Sequence, residues 1–481
     1  MLLRKGSDKG MRSTKIVCTL GPACAEQSIL EEMLHAGMNV ARMNFSHGDH
    51  AMHRKNLETF RRARENVGVA AAVLLDTRGP EIRTLPGLGD KGVEVHVGQE
   101  IVFAPENDPT RPEVIGVTYP RLSRHVQPGD RILIDDGKIR LRATESDGRY
   151  VHAVAETGGV IRSYKGINLP GVPIDLPFLS EKDQDDLRFG VEHHVDYVAA
   201  SFTRTARDIR ELRRFLEEAG GGEIRIIAKI ENQEGINNFD EILAVSDGIM
   251  IARGDMGVEI PYERLPGIQK SMISACRAAG KPVITATQML DSMVTSRMPT
   301  RAEVSDVANA VFDGTSAVML SAESAAGAYP VESVRAMARI AARAEEDHFL
   351  DELAEVVHNR QDITSAICDA ACTTARDLGA AAILAITRAG VTARAMSAFC
   401  PRIPILALTP EETTYHQLAL CYGVTPLHAS YQKNTDELFA HAVALAKESG
   451  YVHTGDRVVL TAGLPIGESG STNVIKVQTI D

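Results

Sequence analysis

The sequence predicts an α/β protein in three parts: a (β/α)8 TIM barrel, a small β domain inserted within it, and a carboxy-terminal doubly wound α/β domain. Three observations carry this expectation. Short apolar runs alternate with amphipathic helical segments between Ser13 and Glu346, eight runs in all, which calls for parallel strand pairing. The alternation stops after the third run, and residues 85 to about 163 read as short period-two runs between Gly and Pro turns. Beyond Glu346 a second alternation of strands and helices begins. At 481 residues the chain also exceeds what one core organises, so several domains are expected.

Taken in order, residues 1–12 are basic, contain glycine and lack periodicity, the pattern of a loose start. The first half of the barrel is TKIVCTL, a helix Gln27 to Ala36, MNVARMNF, a helix Asp49 to Glu65, and AAAVLLD. The insert follows, with alternating runs such as VEVHV, DRILIDD and KIRLRAT. The barrel then resumes with a helix Glu181 to Glu192, strand YVAASF, a helix Thr205 to Glu218, strand IRIIAKI, a helix Gly235 to Val245 and strand GIMIAR. PVITAT and AVMLSA complete the eight, and a long helix ends near Glu346. The last unit opens with a helix from Asp362 to Leu378, strand AAILAIT, a helix from Val391 and strand IPILALT. The expected divisions are 13–84 with 164–346 for the barrel, 85–163 for the insert and 347–481 for the carboxy-terminal unit.

Composition excludes some classes. A formal net charge of −12 speaks against a nucleic-acid or membrane-surface protein, both of which need a basic face, so any phosphate binding is local. No apolar run is long enough to span a bilayer. Seven cysteines without a CxxC pair, and no amino-terminal apolar segment with a cleavage site, point to the reduced cytosol, so the expected localisation is cytoplasmic.

The most informative stretch is Ile224 to Gly257, where IRIIAKIEN and DGIMIARGDMG each end in charged and glycine residues. Lys229 and Glu231 are two apart on an extended run, so their side chains share a face. Asp255 follows the next run within Gly254-Asp255-Met256-Gly257, where glycines let backbone approach a ligand and free N–H groups can face an anion. Two carboxylates, a lysine and an anion nest suggest a metal-assisted phosphate site; a buried ion pair beside an ordinary turn fits the same residues. Other polar residues also stand at strand ends: Arg42, Asn44 and Ser46 after the second, Asp76, Thr77 and Arg83 after the third, Ser201 at the fourth, Thr287 at the seventh. In a barrel all these ends converge on one mouth. In the last unit, Thr387-Arg388-Ala389-Gly390-Val391-Thr392 joins a strand to a helix, which suits either a phosphate pocket or a plain N-cap turn.

The motifs TKIVCTLGPA, GMNVARMNFSHG, LLDTRGPEIRT, GINLPGVPIDLP, AKIENQEG, GIMIARGDMGVEIP, ITATQML and PTRAEVSDVANAVFDGTSAVMLSAES follow in this order. With them the chain closely resembles the pyruvate kinase family, in its bacterial form, over nearly its whole length. The resemblance implies a barrel domain A, a lid domain B, a carboxy-terminal domain C and a homotetramer. It implies transfer of the phosphoryl group of phosphoenolpyruvate to ADP, giving ATP and an enolate that is protonated to pyruvate. By the same resemblance Glu231 and Asp255 bind Mg2+, with Mn2+ able to substitute, and Lys229 bridges the migrating group. Arg42 and Arg83 bind phosphate, Ser201 belongs with the substrate-binding residues, and the amides around Gly254, Asp255 and Met256 hold the substrate carboxylate. Thr287 lies beside the enolate methylene in a water-linked proton relay. Asn44, Ser46, Asp76 and Thr77 supply oxygens for K+, and Glu81 matches the potassium-requiring subgroup. Asn44, His47, Arg83 and Lys165 lie near the nucleotide, and Asp136 on the lid reaches the cleft on closure.

Domain C departs from the bisphosphate-regulated pattern. Ala389 replaces a hydroxyl or glycine, and Leu464 to Ser471 contains no cation for a second phosphate. A monophosphate effector held by Thr387, Arg388, Gly390 and Thr392 is the expectation. Two alternatives are another phosphoenolpyruvate or pyruvate barrel, such as a metal-dependent aldolase or phosphonomutase, and a catalytically silent scaffold. The first needs neither the insert nor the potassium set, and the intact Lys229, Glu231, Asp255, Arg42 and Thr287 argue against the second.

Overall fold

The computed structural model describes residues 12–89, 91–108, 110–111, 113–347, 362–466 and 472–481. The amino-terminal start, the first residues of the last unit and most of the Leu464–Ser471 segment therefore lie outside the described residues.

Eight parallel strands close into a barrel: β1 (Lys15–Thr19), β2 (Val40–Asn44), β3 (Ala72–Asp76), β4 (Tyr197–Ala200), β5 (Arg225–Ile230), β6 (Gly248–Ala252), β7 (Val283–Ala286) and β8 (Ala317–Leu320). Closure comes from β1 pairing with both β2 and β8. All eight are buried at every position or at all but one, and they are mostly apolar, as parallel strands covered on both faces must be. Polar residues gather at the carboxyl ends.

Local signals set the helix bounds. Asp49 caps the helix His50–Val67 by accepting from Met52 N at 2.8 Å, and that helix ends on Gly68 at φ 69°, a left-handed position glycine occupies without Cβ strain. Reciprocal caps at Ser180 with Asp183 and at Thr300 with Glu303 open the helices Glu181–Glu192 and Arg301–Phe312. The single helix expected over Gly235 to Val245 is instead two, Gln233–Asn237 and Phe239–Val245. They meet at Asn238 (φ −100°, ψ 18°), whose amide donates to Arg204 O at 3.0 Å, a side-chain bond that competes with helix continuation.

The insert is a seven-stranded sheet plus a two-stranded ribbon around its own apolar core. Its sheet reaches past 85–163: one edge strand is Ile82–Arg83, paired with Gly166–Asn168. Arg83 and Lys165 thus both stand in the neck where the insert leaves the barrel.

The last unit has five strands, β9 (Ala382–Ile386), β10 (Ile405–Thr409), β11 (Val424–His428), β12 (Arg457–Ala462) and β13 (Val474–Thr479), in the order β11-β10-β9-β12-β13. All pairs are parallel except β12 with β13, so the doubly wound sheet ends in an antiparallel edge. This unit also closes the floor of the barrel. Leu420 joins Val17, Val40, Leu74, Met250 and Met319 in the barrel interior, and Tyr197 Oη donates to Gln417 O at 2.6 Å. Lys15 Nζ donates to Val424 O at 2.6 Å beside them. Both Tyr197 and Lys15 begin their strands, so the contact lies opposite the polar mouth. Among the described residues no helix is long and apolar enough to cross a membrane.

Candidate active site

The mouth is built from the ends of adjacent rungs. Lys229 Nζ lies 3.0 Å from Glu231 Oε1, as period two requires, and 3.0 Å from Asp76 Oδ1 on β3. It also donates to Ser201 Oγ at 2.7 Å. Arg42 Nε donates to Asp76 Oδ2 at 2.6 Å, and its Nη1 to Thr19 Oγ1 at 2.9 Å. Phe202 N donates to Glu231 Oε2 at 2.5 Å from a residue at φ 54°, a backbone turned specifically to meet the carboxylate. Thr77 Oγ1 accepts from Ser201 N at 3.1 Å, tying β3 to β4.

All these groups are almost fully buried, so charge is decided by partners. Burial opposes the Lys229 ammonium, but the Asp76 and Glu231 carboxylates outweigh it and hold its pKa above the usual lysine value. Burial likewise opposes ionised Asp76, yet Lys229 and Arg42 keep that carboxyl below the usual range. Burial pushes Glu231 up to about 7, with Asp255 adding to the rise against the pull of Lys229. Asp255 is therefore close enough to act on both members of the β5 pair.

Asp255 sits in the helix Arg253–Glu259, and among the described residues its carboxylate has no hydrogen bond or ion pair with protein. Glu231 Oε1 has no aligned donor despite its proximity to Lys229. Two buried or half-buried carboxylates with spare oxygen capacity fit a hard divalent cation that keeps waters and takes its other ligands from substrate. Among the described residues no group of three or more His, Cys, Asp or Glu forms a self-sufficient metal cage, which agrees with so sparse a donor set.

Asn44 faces Asp76 in register on the neighbouring strand, and its Oδ1 accepts from Ser46 N at 3.1 Å. Thr77 follows Asp76 directly, and its Oγ1 lies 3.3 Å from Ala199 O. The loop after β2 is buckled down: Lys182 Nζ donates to Phe45 O at 3.1 Å, and the Phe45 ring stacks on His53 at 3.9 Å. On the far side, Gly254 N donates to Thr287 Oγ1 at 2.7 Å, placing Thr287 against the amides of Gly254 to Met256.

Not every expected residue joins the cluster. The Arg83 guanidinium is held by Glu81 Oε2 at 2.5 Å and Tyr164 O at 2.9 Å in the neck. Lys165 Nζ pairs with Asp135 Oδ1 at 2.7 Å on the insert, and His47 is exposed. Arg83 and Lys165 stand in the neck, and His47 lies on the loop after β2, its N–H donating to Asn44 O at 3.3 Å. Three residues escaped sequence reading: Thr19, Phe202 and Arg253. Arg253 alone carried a signal, a cation directly after a buried strand.

In the last unit Thr387, Arg388 and Thr392 line a cleft, with Gly390 at φ 77° opening the following helix. Arg388 is paired with Glu411 at 2.9 Å.

Comparison with known proteins fits this arrangement. The family model described as pyruvate kinase, barrel domain, matches residues 11–334, and that described as pyruvate kinase, alpha/beta domain, matches residues 365–478. The chain belongs to the pyruvate kinase family. It is 46% identical over 476 residues to the pyruvate kinase of Sporosarcina psychrophila, covering 98% of this chain and 81% of the relative. It is also 46% identical over 480 residues to that of Staphylococcus aureus (strain MRSA252), with the same coverage. Pyruvate kinase membership makes the chain a phosphotransferase.

Proposed function

We propose that the barrel mouth transfers the phosphoryl group of phosphoenolpyruvate to ADP. The bond from phosphorus to the enol oxygen breaks, a new bond forms to a terminal oxygen of ADP, and the electron pair left on the enolate takes a proton at its methylene carbon to give pyruvate. The observation that carries this reading is Lys229, a buried ammonium between Asp76 and Glu231 beside an unpartnered Asp255. Glu231 and Asp255 would hold Mg2+ or Mn2+, which when bound supplies positive charge to phosphoryl oxygens. Asn44, Ser46, Asp76 and Thr77 would hold K+.

Lys229 stays charged and supplies that charge where it develops in the transition state rather than acting as a base. Arg42, fixed by Asp76 and Thr19, presents a planar fork to phosphate oxygens, and Arg83 joins it from the neck when the lid domain closes. Ser201 orients Lys229, and the Gly254 to Met256 amides hold the substrate carboxylate. Thr287 lies at the protonation face as part of a relay. His47, Lys165 and Asn44 border the nucleotide.

The test is ADP-dependent pyruvate formation in a coupled assay. Lys229→Met is expected to lower kcat by about 10^2-fold or more, the scale of losing one transition-state donor, with little change in phosphoenolpyruvate binding. A near wild-type kcat would refute this role. Replacing K+ by a bulky organic cation at constant ionic strength is expected to abolish most activity.

The Arg388 cleft supports a monophosphate effector, because a single guanidinium neutralises one phosphate and Glu411 must yield to it. Such a ligand acts by favouring one arrangement of a homotetramer in the cytoplasm. Calorimetry is expected to show a sugar monophosphate or AMP binding more tightly than a bisphosphate; the reverse order overturns the effector assignment.

A further inference from the structure

Thr287 carries an unusual backbone. Its φ is 71°, and Gln288 after it lies at 55°, so two consecutive non-glycine residues occupy the left-handed region. For a β-branched residue this conformation is a true outlier, so surrounding contacts must impose it.

Two consecutive residues on the neighbouring strand's exit supply most of those contacts. Arg253, 8% exposed, directs Nη2 to Thr287 O at 2.7 Å and Nε to the same oxygen at 3.3 Å. The next residue, Gly254, donates its N–H to Thr287 Oγ1 at 2.7 Å, and that hydroxyl donates to Ala286 O at 2.6 Å. Both ends of Thr287 are thus gripped by the Arg253-Gly254 dipeptide. The guanidinium is anchored in turn, with Nη1 donating to Asp306 Oδ1 at 2.7 Å on the helix Arg301–Phe312 and lying 3.4 Å from Gln269 Oε1.

We infer that Arg253 is a positioning residue for the reaction: its fork, anchored by Asp306, locks Thr287 in the strained left-handed conformation that aims the hydroxyl across the Gly254 amide into the mouth. The inference rests on the reading of Thr287 as a residue of the protonation face. A lysine cannot replace the fork, because its single ammonium cannot span Asp306 and the Thr287 carbonyl in the same planar geometry. Arg253 acts on the mouth through Thr287, whose carbonyl it holds.

The experiment is a double-mutant cycle of Arg253→Lys with Thr287→Gly, read as kcat and KM for phosphoenolpyruvate and as hydrogen–deuterium exchange at the pyruvate methyl. Glycine accepts φ near 70° without strain and removes the hydroxyl. Arg253→Lys alone is expected to lower kcat and methyl exchange by about 10- to 100-fold, the scale of a 1 Å misplacement, with KM changed less than about threefold. In the Thr287→Gly background the same change is expected to cost less than about twofold, because residues acting as a unit are not additive. Losses that multiply overturn the clamp while leaving the role of Thr287 standing. A wild-type kcat in Thr287→Gly alone overturns that role, and the clamp loses its meaning with it. Asp306→Asn, which leaves Arg253 in place, supplies a second cycle with Thr287→Gly should Arg253→Lys not fold; it is expected to show a smaller loss with the same non-additivity.

Discussion

At the scale of single residues, function depends on which charges are buried with partners. Asp76 is the hinge of the mouth, since it takes Arg42 on one oxygen and Lys229 on the other. A contrasting acid lies at the opposite end of the barrel. Asp196 precedes β4, accepts from Val73 N at 2.7 Å, and burial pushes its carboxyl up to about 7, with Arg64 and Arg61 too weakly coupled to prevent it and Glu412 adding to the rise. A carboxyl raised in the folded state binds more protons there than in the unfolded chain, so its contribution is full below about pH 4 and is lost as pH climbs to about 7. Asp196→Asn, which keeps an acceptor for Val73 N, is expected to raise the thermal midpoint relative to wild type more at pH 7.5 than at pH 5. Equal shifts at the two pH values would show that Asp196 does not titrate on unfolding.

At the scale of elements, the helix Arg301–Phe312 links local capping to the mouth because it carries Asp306. Its start is unusually well tied. Glu303 accepts from Thr300 N at 2.7 Å and Thr300 Oγ1 at 2.9 Å, and from Ser292 N at 2.7 Å and Ser292 Oγ at 2.6 Å. Thr300→Ala removes one cap and is expected to cost about 1 kcal/mol of local stability. Glu303→Ala leaves all these donors without their acceptor and is expected to cost about 1–3 kcal/mol. Native-state hydrogen exchange of the first-turn amides is the suitable measure, since a chain with several cores does not unfold in one step. Glu303→Ala costing less than Thr300→Ala would mean that the bonds to Ser292 contribute nothing.

At the scale of the molecule, the carboxy-terminal unit is part of the barrel's structure. Leu420 is fully buried inside the barrel, and Gln417 Nε2 donates to Glu223 O at 2.9 Å and Asp196 O at 3.3 Å across the same floor. Leu420→Ala is expected to destabilise by about 2–5 kcal/mol, and the loss should fall on the barrel although the residue belongs to another unit. Hydrogen exchange at Val17, Val40 and Ala72 reads this directly; acceleration confined to β9–β13 would show that the floor contact carries no load. Glu411, which pairs with Arg388 at the cleft, opens the segment that ends in Leu420.

The alternation of apolar runs and helices determined the barrel, the place of the insert and the sheet of the last unit, because parallel strands buried on both faces are continuous apolar segments. Period two also determined that Lys229 and Glu231 stand side by side, and strand-end position put Asp255 near them. Only the tertiary structure decided that Asp76 bridges Arg42 and Lys229, that Arg83 and Lys165 stand in the neck, that Arg253 grips Thr287, and that Leu420 fills the barrel floor. In each of these the partners lie on different elements, and no local period encodes where two separate elements meet. That is fixed only when the eight strands close and each side chain acquires neighbours the chain order does not supply.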